Sequence, residues 1–103
     1  ITLINIGKNN GGSGMGHYEK LYWKIKNNPK HVRFNEINKL LTKVGGFEVR
    51  NKGGSHYIYS HPDLKDIDDF VNIPYKKPHI KEQYIKKAIE KFELANPHFV
   101  EWK

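Results

Sequence analysis

Apolar residues recur along this chain with two different periods, and the change from one to the other divides it into elements. Over residues 17–27, Tyr18, Leu21, Tyr22 and Ile25 fall at helical spacing, and Asn27-Asn28-Pro29 stops the run. A second helix follows, in which Ile37, Leu40, Leu41 and Val44 repeat at i, i+3, i+4 and i+7 until Gly45-Gly46. Asn35 is expected to cap it, because a side-chain oxygen there can accept from the unpaired N–H groups of the first turn. The period then shortens to two. Phe47 and Val49 alternate with Glu48 and Arg50, Lys52-Gly53-Gly54-Ser55 turns the chain, and residues 56–61 read as a returning strand. Residues 62–68 form a polar loop, and residues 69–75 a third strand with Val71 and Ile73 on one face, closing at Pro74. Helical spacing returns in Ile80, Tyr84, Ile85, Ala88, Ile89 and Phe92 and stops at Asn96-Pro97.

The order is therefore α-α-β-β-β-α. Strands joined by short connections pair antiparallel, and helices placed before and after them cover one face. The expected fold is α+β: a three-stranded antiparallel sheet with helices on one face and the other open to a partner. A chain of 103 residues, 37% hydrophobic, needs its aromatics inside, so Tyr57, Tyr59, Tyr75, Tyr84 and Phe92 are expected in the core. The alternative use for these rings is to stack on bases.

Residues 1–14 stand apart from this frame. The strand-like run Ile1 to Ile6 leads through Gly7-Lys8-Asn9-Asn10 into Gly11-Gly12-Ser13-Gly14, directly before the single methionine, Met15. Such a stretch is a flexible coil. We expect residues 1–14 to be a tethered segment with its linker and residues 15–103 to be the native domain. Residues 1–10 would then either add a strand to a sheet edge of the same molecule or remain a disordered tag. The glycines do not make a nucleotide site. His17 and Glu19 stand where a dinucleotide fingerprint needs glycine, and Ser13 and His17 where a phosphate loop needs lysine.

Composition narrows the chemistry. The absence of cysteine removes disulfides, thiolate zinc sites and thiol catalysis together. None of the six histidines has a partner four residues away, and His56 and His61, five apart on one strand, leave opposite faces of the sheet. Asp63, Asp66, Asp68 and Asp69 lack the glycine and distal glutamate of a calcium loop and are expected to be a solvated acidic loop. No metal or other cofactor is expected. No apolar run approaches the roughly 18 residues of a membrane span, so a cytoplasmic protein without membrane contact is expected. The net charge of +7 fits a polyanionic partner and, equally well, a charge that serves only solubility. Its excess lies in residues 15–44 and 76–103, on either side of the strands.

Catalysis without cysteine at neutral pH falls most naturally to histidine. His56 differs from the other five because Gly53-Gly54-Ser55 precedes it, with Arg50 and Lys52 just before, a pattern that fits an anion site holding a general base. Ser55 is not its nucleophile, since neighbouring strand residues point apart. The plain alternative is a hairpin turn followed by a surface histidine.

The run Phe47 to Tyr59 with Gly54-Ser55-His56 at its centre, then Val71-Asn72-Ile73-Pro74, then Pro78-His79-Ile80-Lys81 leading into Tyr84 to Ile89, resembles the HicA family of toxins from bacterial toxin-antitoxin pairs. Val32 to Ile37 with Leu40-Leu41 fits the family's first core helix, and the likeness covers roughly residues 15–95. One departure is visible: Gly53 separates Lys52 from Gly54, where the family's basic residue usually stands directly before the signature glycine. The resemblance implies a fold like a double-stranded RNA-binding domain and a metal-independent endoribonuclease acting on mRNA. It also implies a HicB-like antitoxin that covers the active site. It makes His56 the catalytic residue, with Gly54 and Ser55 shaping the turn that presents it. Arg50, Lys52, Lys76, Lys77 and Lys81 are the cations expected to hold the RNA. The competing expectation is a small non-catalytic RNA-binding module in which Gly54-Ser55-His56 is only a turn.

Overall fold

Tyr59 and Ile73, both fully buried, mark the inner face of the sheet around which the protein is built. A computed structural model describes residues 16–66 and 69–100 of the 103. The strand expected from residues 1–10 lies outside the described residues. The order is α1 (His17–Asn27), a 3-10 turn (Pro29–His31), α2 (Phe34–Lys39) continuing into a π-helical turn (Leu40–Val44), β1 (Glu48–Asn51), β2 (His56–Ser60), β3 (Val71–Pro74), α3 (Glu82–Ala95) and α4 (Pro97–Val100). The strands form one antiparallel sheet in the order β1-β2-β3, so β2 is central. This is the α+β architecture the pattern predicts, and it is consistent with the arrangement of a double-stranded RNA-binding domain.

The pairing register sorts the strand residues into two faces. Tyr57 lies opposite Asn51 and Ile73, and Tyr59 opposite Val49 and Val71, on the face that the helices cover. His56, Ile58 and Ser60 take the open face. Ile37, Leu40 and Leu41 from α2 and its π turn share the buried core with Ile85, Ala88 and Phe92 from α3. Helix α1 packs on α2 and α3, where Tyr22 stacks on Phe92 with ring centroids 5.5 Å apart. Val49 faces inward but is 41% exposed, because β1 is an edge strand.

Three expectations need correction. Asn35 does not cap α2: the cap is Arg33, whose N–H donates to Glu36 Oε1 at 2.9 Å, and Asn35 is exposed in the first turn. A glutamate three residues into the helix can reach back to the capping backbone N–H, and here it does so. The second helix also loosens at its end. Gly45 N–H bonds Leu40 O at 2.9 Å, a five-residue step, while the Thr42 hydroxyl donates to Asn38 O at 2.7 Å. Glycine is required at 45, since a Cβ there would meet Phe92 Cδ1 at 2.8 Å. Finally, the third strand is shorter than residues 69–75. Asp69 leaves it to pair with Lys91 at 2.9 Å, tying the preceding loop to α3, and Tyr75 falls beyond its end.

One side-chain bond ties α2 to β2, and Glu36 fixes the start of α2 and links it to α1. Burial pushes the Tyr59 hydroxyl well above its ordinary range, so it stays protonated and donates to Asn38 Oδ1 at 2.7 Å. Burial also works against the Glu36 carboxylate, but the Arg33 N–H and the Lys24 ammonium outweigh it and hold its pKa below the ordinary value. Tyr59→Phe leaves the Asn38 oxygen without its donor and should cost about 1 kcal/mol. Thermal unfolding then shifts down by about 4–8 °C, and an unchanged midpoint contradicts the role. Glu36→Ala should cost a similar amount, about 1 kcal/mol. Because the folded pKa of Glu36 is lowered, its contribution is complete above the ordinary value of 4.5 and fades as pH falls through the folded one. Melting curves of wild type and Glu36→Ala should therefore converge as the pH is lowered below 4.5.

Candidate functional site

The hairpin between β1 and β2 turns on two glycines in the left-handed region, Gly53 at φ 107° and Gly54 at φ 57°. Open space surrounds both positions, so glycine is needed there for the backbone angle and not for room. Asn51 organises the turn from below: its Oδ1 accepts from Gly53 N–H at 2.7 Å and its Nδ2 donates to Gly54 O at 3.3 Å. Asn51 was not among the expected residues. Its signal was present in the sequence, an asparagine two residues before a glycine pair. The N–H groups of Gly54 and Ser55 have no partner among the described residues and remain available to an anion.

His56 opens β2 immediately after this turn and is exposed. Its backbone is held on both sides: its carbonyl accepts from Lys52 N–H at 2.9 Å, and Pro74 stands opposite it on β3. One residue earlier, Ser55 O accepts from Tyr75 N–H at 2.7 Å. The histidine ring makes no hydrogen bond within the described residues. A ring so placed can exchange a proton with a bound molecule.

The expected cations divide into two groups. On the face carrying His56, Arg50 pairs across from Ile58, and Arg50, Lys52, Ile58, Ser60 and the exposed Phe70 line a depression of about 300 Å³. At the sheet end where His56 stands, Lys76 and Lys77 line a second depression of about 480 Å³ with Arg33, Phe34, Asn35, Tyr75 and Pro78. Arg50, Lys52, Lys76 and Lys77 enter no ion pair within the described residues, so their charges are free for a polyanion, whereas Arg33 also acts on the Glu36 carboxylate. Lys81 is the exception to the expected set: it caps the start of α3 and lines neither depression.

Tyr75 corrects the expectation of an interior ring. It is 39% exposed, whereas Tyr59 and Phe92 are fully buried and Tyr57 and Tyr84 partly so. Alternation with Val71 and Ile73 directs Tyr75 inward, but β3 ends at Pro74, and the ring leans on Phe34 at the edge of the core. Arg33, Phe34 and Asn35 were missed as site residues because nothing local to them signals contact with residues 75–77. Within the described residues no three His, Asp or Glu side chains gather into a metal-binding group, and Asp68 lies outside those residues. No helix among them is long and apolar enough to cross a membrane.

Neither the curated proteins nor the solved structures contain a match to this chain. A family model, described as the HicA toxin of bacterial toxin-antitoxin, matches residues 34–94. That span runs from the first residue of α2 almost to the end of α3 and contains the sheet, the glycine turn, His56 and both lysines of the second depression. The match covers more than half of the sequence, and the chain belongs to the HicA toxin family of bacterial toxin-antitoxin pairs.

Proposed function

We propose that this HicA-family toxin is an endoribonuclease that cleaves mRNA with His56 as its general base. The observation that carries the reading is the placement of His56. An exposed imidazole without an internal partner among the described residues follows a turn with two free N–H groups; the backbone of His56 is bonded to Lys52, which lines one cation-bearing depression, and that of Ser55 to Tyr75, which lines the other. His56 takes the proton of a ribose 2′-hydroxyl, the 2′-oxygen attacks the adjacent phosphorus, and the bond from phosphorus to the 5′-oxygen breaks. The 5′-oxygen leaves as a hydroxyl with a proton taken from water, and the upstream fragment retains a 2′,3′-cyclic phosphate. RNA supplies its own nucleophile, so neither a protein nucleophile nor a metal is required by this route.

Charge grows on the phosphoryl oxygens as the 2′-oxygen attacks. The N–H groups of Gly54 and Ser55, with Lys52 across the ladder from His56, are the donors nearest in the chain to meet it. Arg50, Lys76 and Lys77 hold flanking phosphates, with Lys81 at the periphery. A HicB antitoxin is the partner that membership of the family implies, and covering His56 together with these cations would silence both binding and cleavage.

Positioned proton transfer contributes typically 10²- to 10⁴-fold. His56→Ala should therefore cut a defined RNA at least about 100-fold more slowly, with affinity for uncut RNA within about two-fold of wild type, because the exposed ring adds little to binding. A variant that cuts at the wild-type rate removes His56 from the chemistry. Wild-type protein that binds RNA and never cuts it identifies a binding module instead.

A further inference from the structure

We propose that the depression beside Tyr75 is a nucleotide subsite for single-stranded RNA, in which the Tyr75 ring stacks on the base next to the cleaved linkage and Arg33, Lys76 and Lys77 hold its phosphate. The inference rests on the cleavage reading for the position of that base, and on the geometry alone for the existence of the subsite. The ring is backed and fixed. Tyr75 leans on Phe34 with centroids 5.0 Å apart, and Phe34 leans in turn on Tyr57 at 4.7 Å. Its exposed side looks into a hollow of about 480 Å³, within the range that small-molecule sites occupy. An aromatic platform beside cations, here Tyr75 beside Lys76 and Lys77, is the combination that binds single strands without strong sequence preference.

The backbone ties this hollow to His56. The Tyr75 N–H donates to Ser55 O at 2.7 Å, and His56 is the next residue. By the pleat, however, His56 leaves the open face and Tyr75 the covered one. An RNA that reaches both must bend around the end of the sheet, over Ser55. A flexible single strand can do this and can turn an unstacked base toward the ring. A duplex keeps its bases stacked and its course straight. The resident architecture suggests recognition of duplex by shape, so the hollow predicts the opposite preference.

Binding is best measured in the non-cutting His56→Ala background with the full chain. The probes are a short single-stranded RNA, the same sequence as a duplex, and inorganic polyphosphate. The single strand should bind more tightly than the duplex. Adding Tyr75→Ala should weaken the single strand about 5- to 150-fold, Tyr75→Phe should retain it, and polyphosphate should not respond to either change. Equal single-strand affinity for the Ala and Phe variants overturns the subsite, as does an equal loss for polyphosphate, which would mean that the cations had been displaced. With Tyr75 intact, RNAs carrying one abasic nucleotide at each position in turn should show a loss concentrated at one position, and a flat profile also overturns it. Failure of the unmodified protein to cut RNA overturns the cleavage reading and leaves these binding outcomes to judge the subsite by themselves.

Discussion

Side chains on a strand alternate between faces with a period of two, and in β2 this alternation is locked by the complete burial of Tyr59 beneath the helices. His56 is three residues away, so it must leave on the opposite side. A slip of one residue in the pairing would bury the imidazole and expose Tyr59 together with Tyr57. The hydrogen bond from Tyr59 to Asn38 adds direction to that burial, since it ties the middle of β2 to the helix that carries Phe34. The exposure of the proposed catalytic group thus follows from core packing two turns of pleat away.

Position along the strand matters as much as face. β2 is paired on both sides, and His56 is its first residue, so the ladder holds the histidine's backbone while the glycine turn leaves its ring unobstructed. Asn51 stabilises the positive φ angles of Gly53 and Gly54 by bonding both. Of the cations around this end, Arg50, Lys52, Lys76 and Lys77 form no ion pair within the described residues. The acidic residues Glu36, Glu82, Glu93 and Asp69 are engaged with Lys24, Lys86, Lys26 and Lys91, respectively. Among the described residues, ion pairing is confined to the helices and the loop before β3.

Much of this was legible in the residues because period and punctuation are local signals. Helical spacing, the glycine pair after Val44, and alternation through residues 47–59 are enough to place the sheet and the turn before His56. What was not legible depends on contacts between distant segments. The loosened turn at Leu40–Val44 ends at Gly45, which Phe92 approaches closely, a meeting of two helices that no spacing announces. Glu36 displaces Asn35 from the expected capping role because two caps were chemically available and one reaches further. Tyr75 carries the pattern of a core residue and escapes the core only because the sheet ends there. Arg33 and Phe34 join Lys76 and Lys77 across more than forty residues of sequence, which is why half of that depression was invisible from the chain alone.

The central claim is that His56 activates the RNA's own 2′-hydroxyl, and the ends of the products report on it most directly. RNA incubated with the protein in the presence of a chelator should be cut, and mass spectrometry should find upstream fragments ending in 2′,3′-cyclic phosphate and downstream fragments beginning with a 5′-hydroxyl. Fragments with a 3′-hydroxyl and a 5′-phosphate, or cleavage that stops when divalent ions are removed, would contradict it.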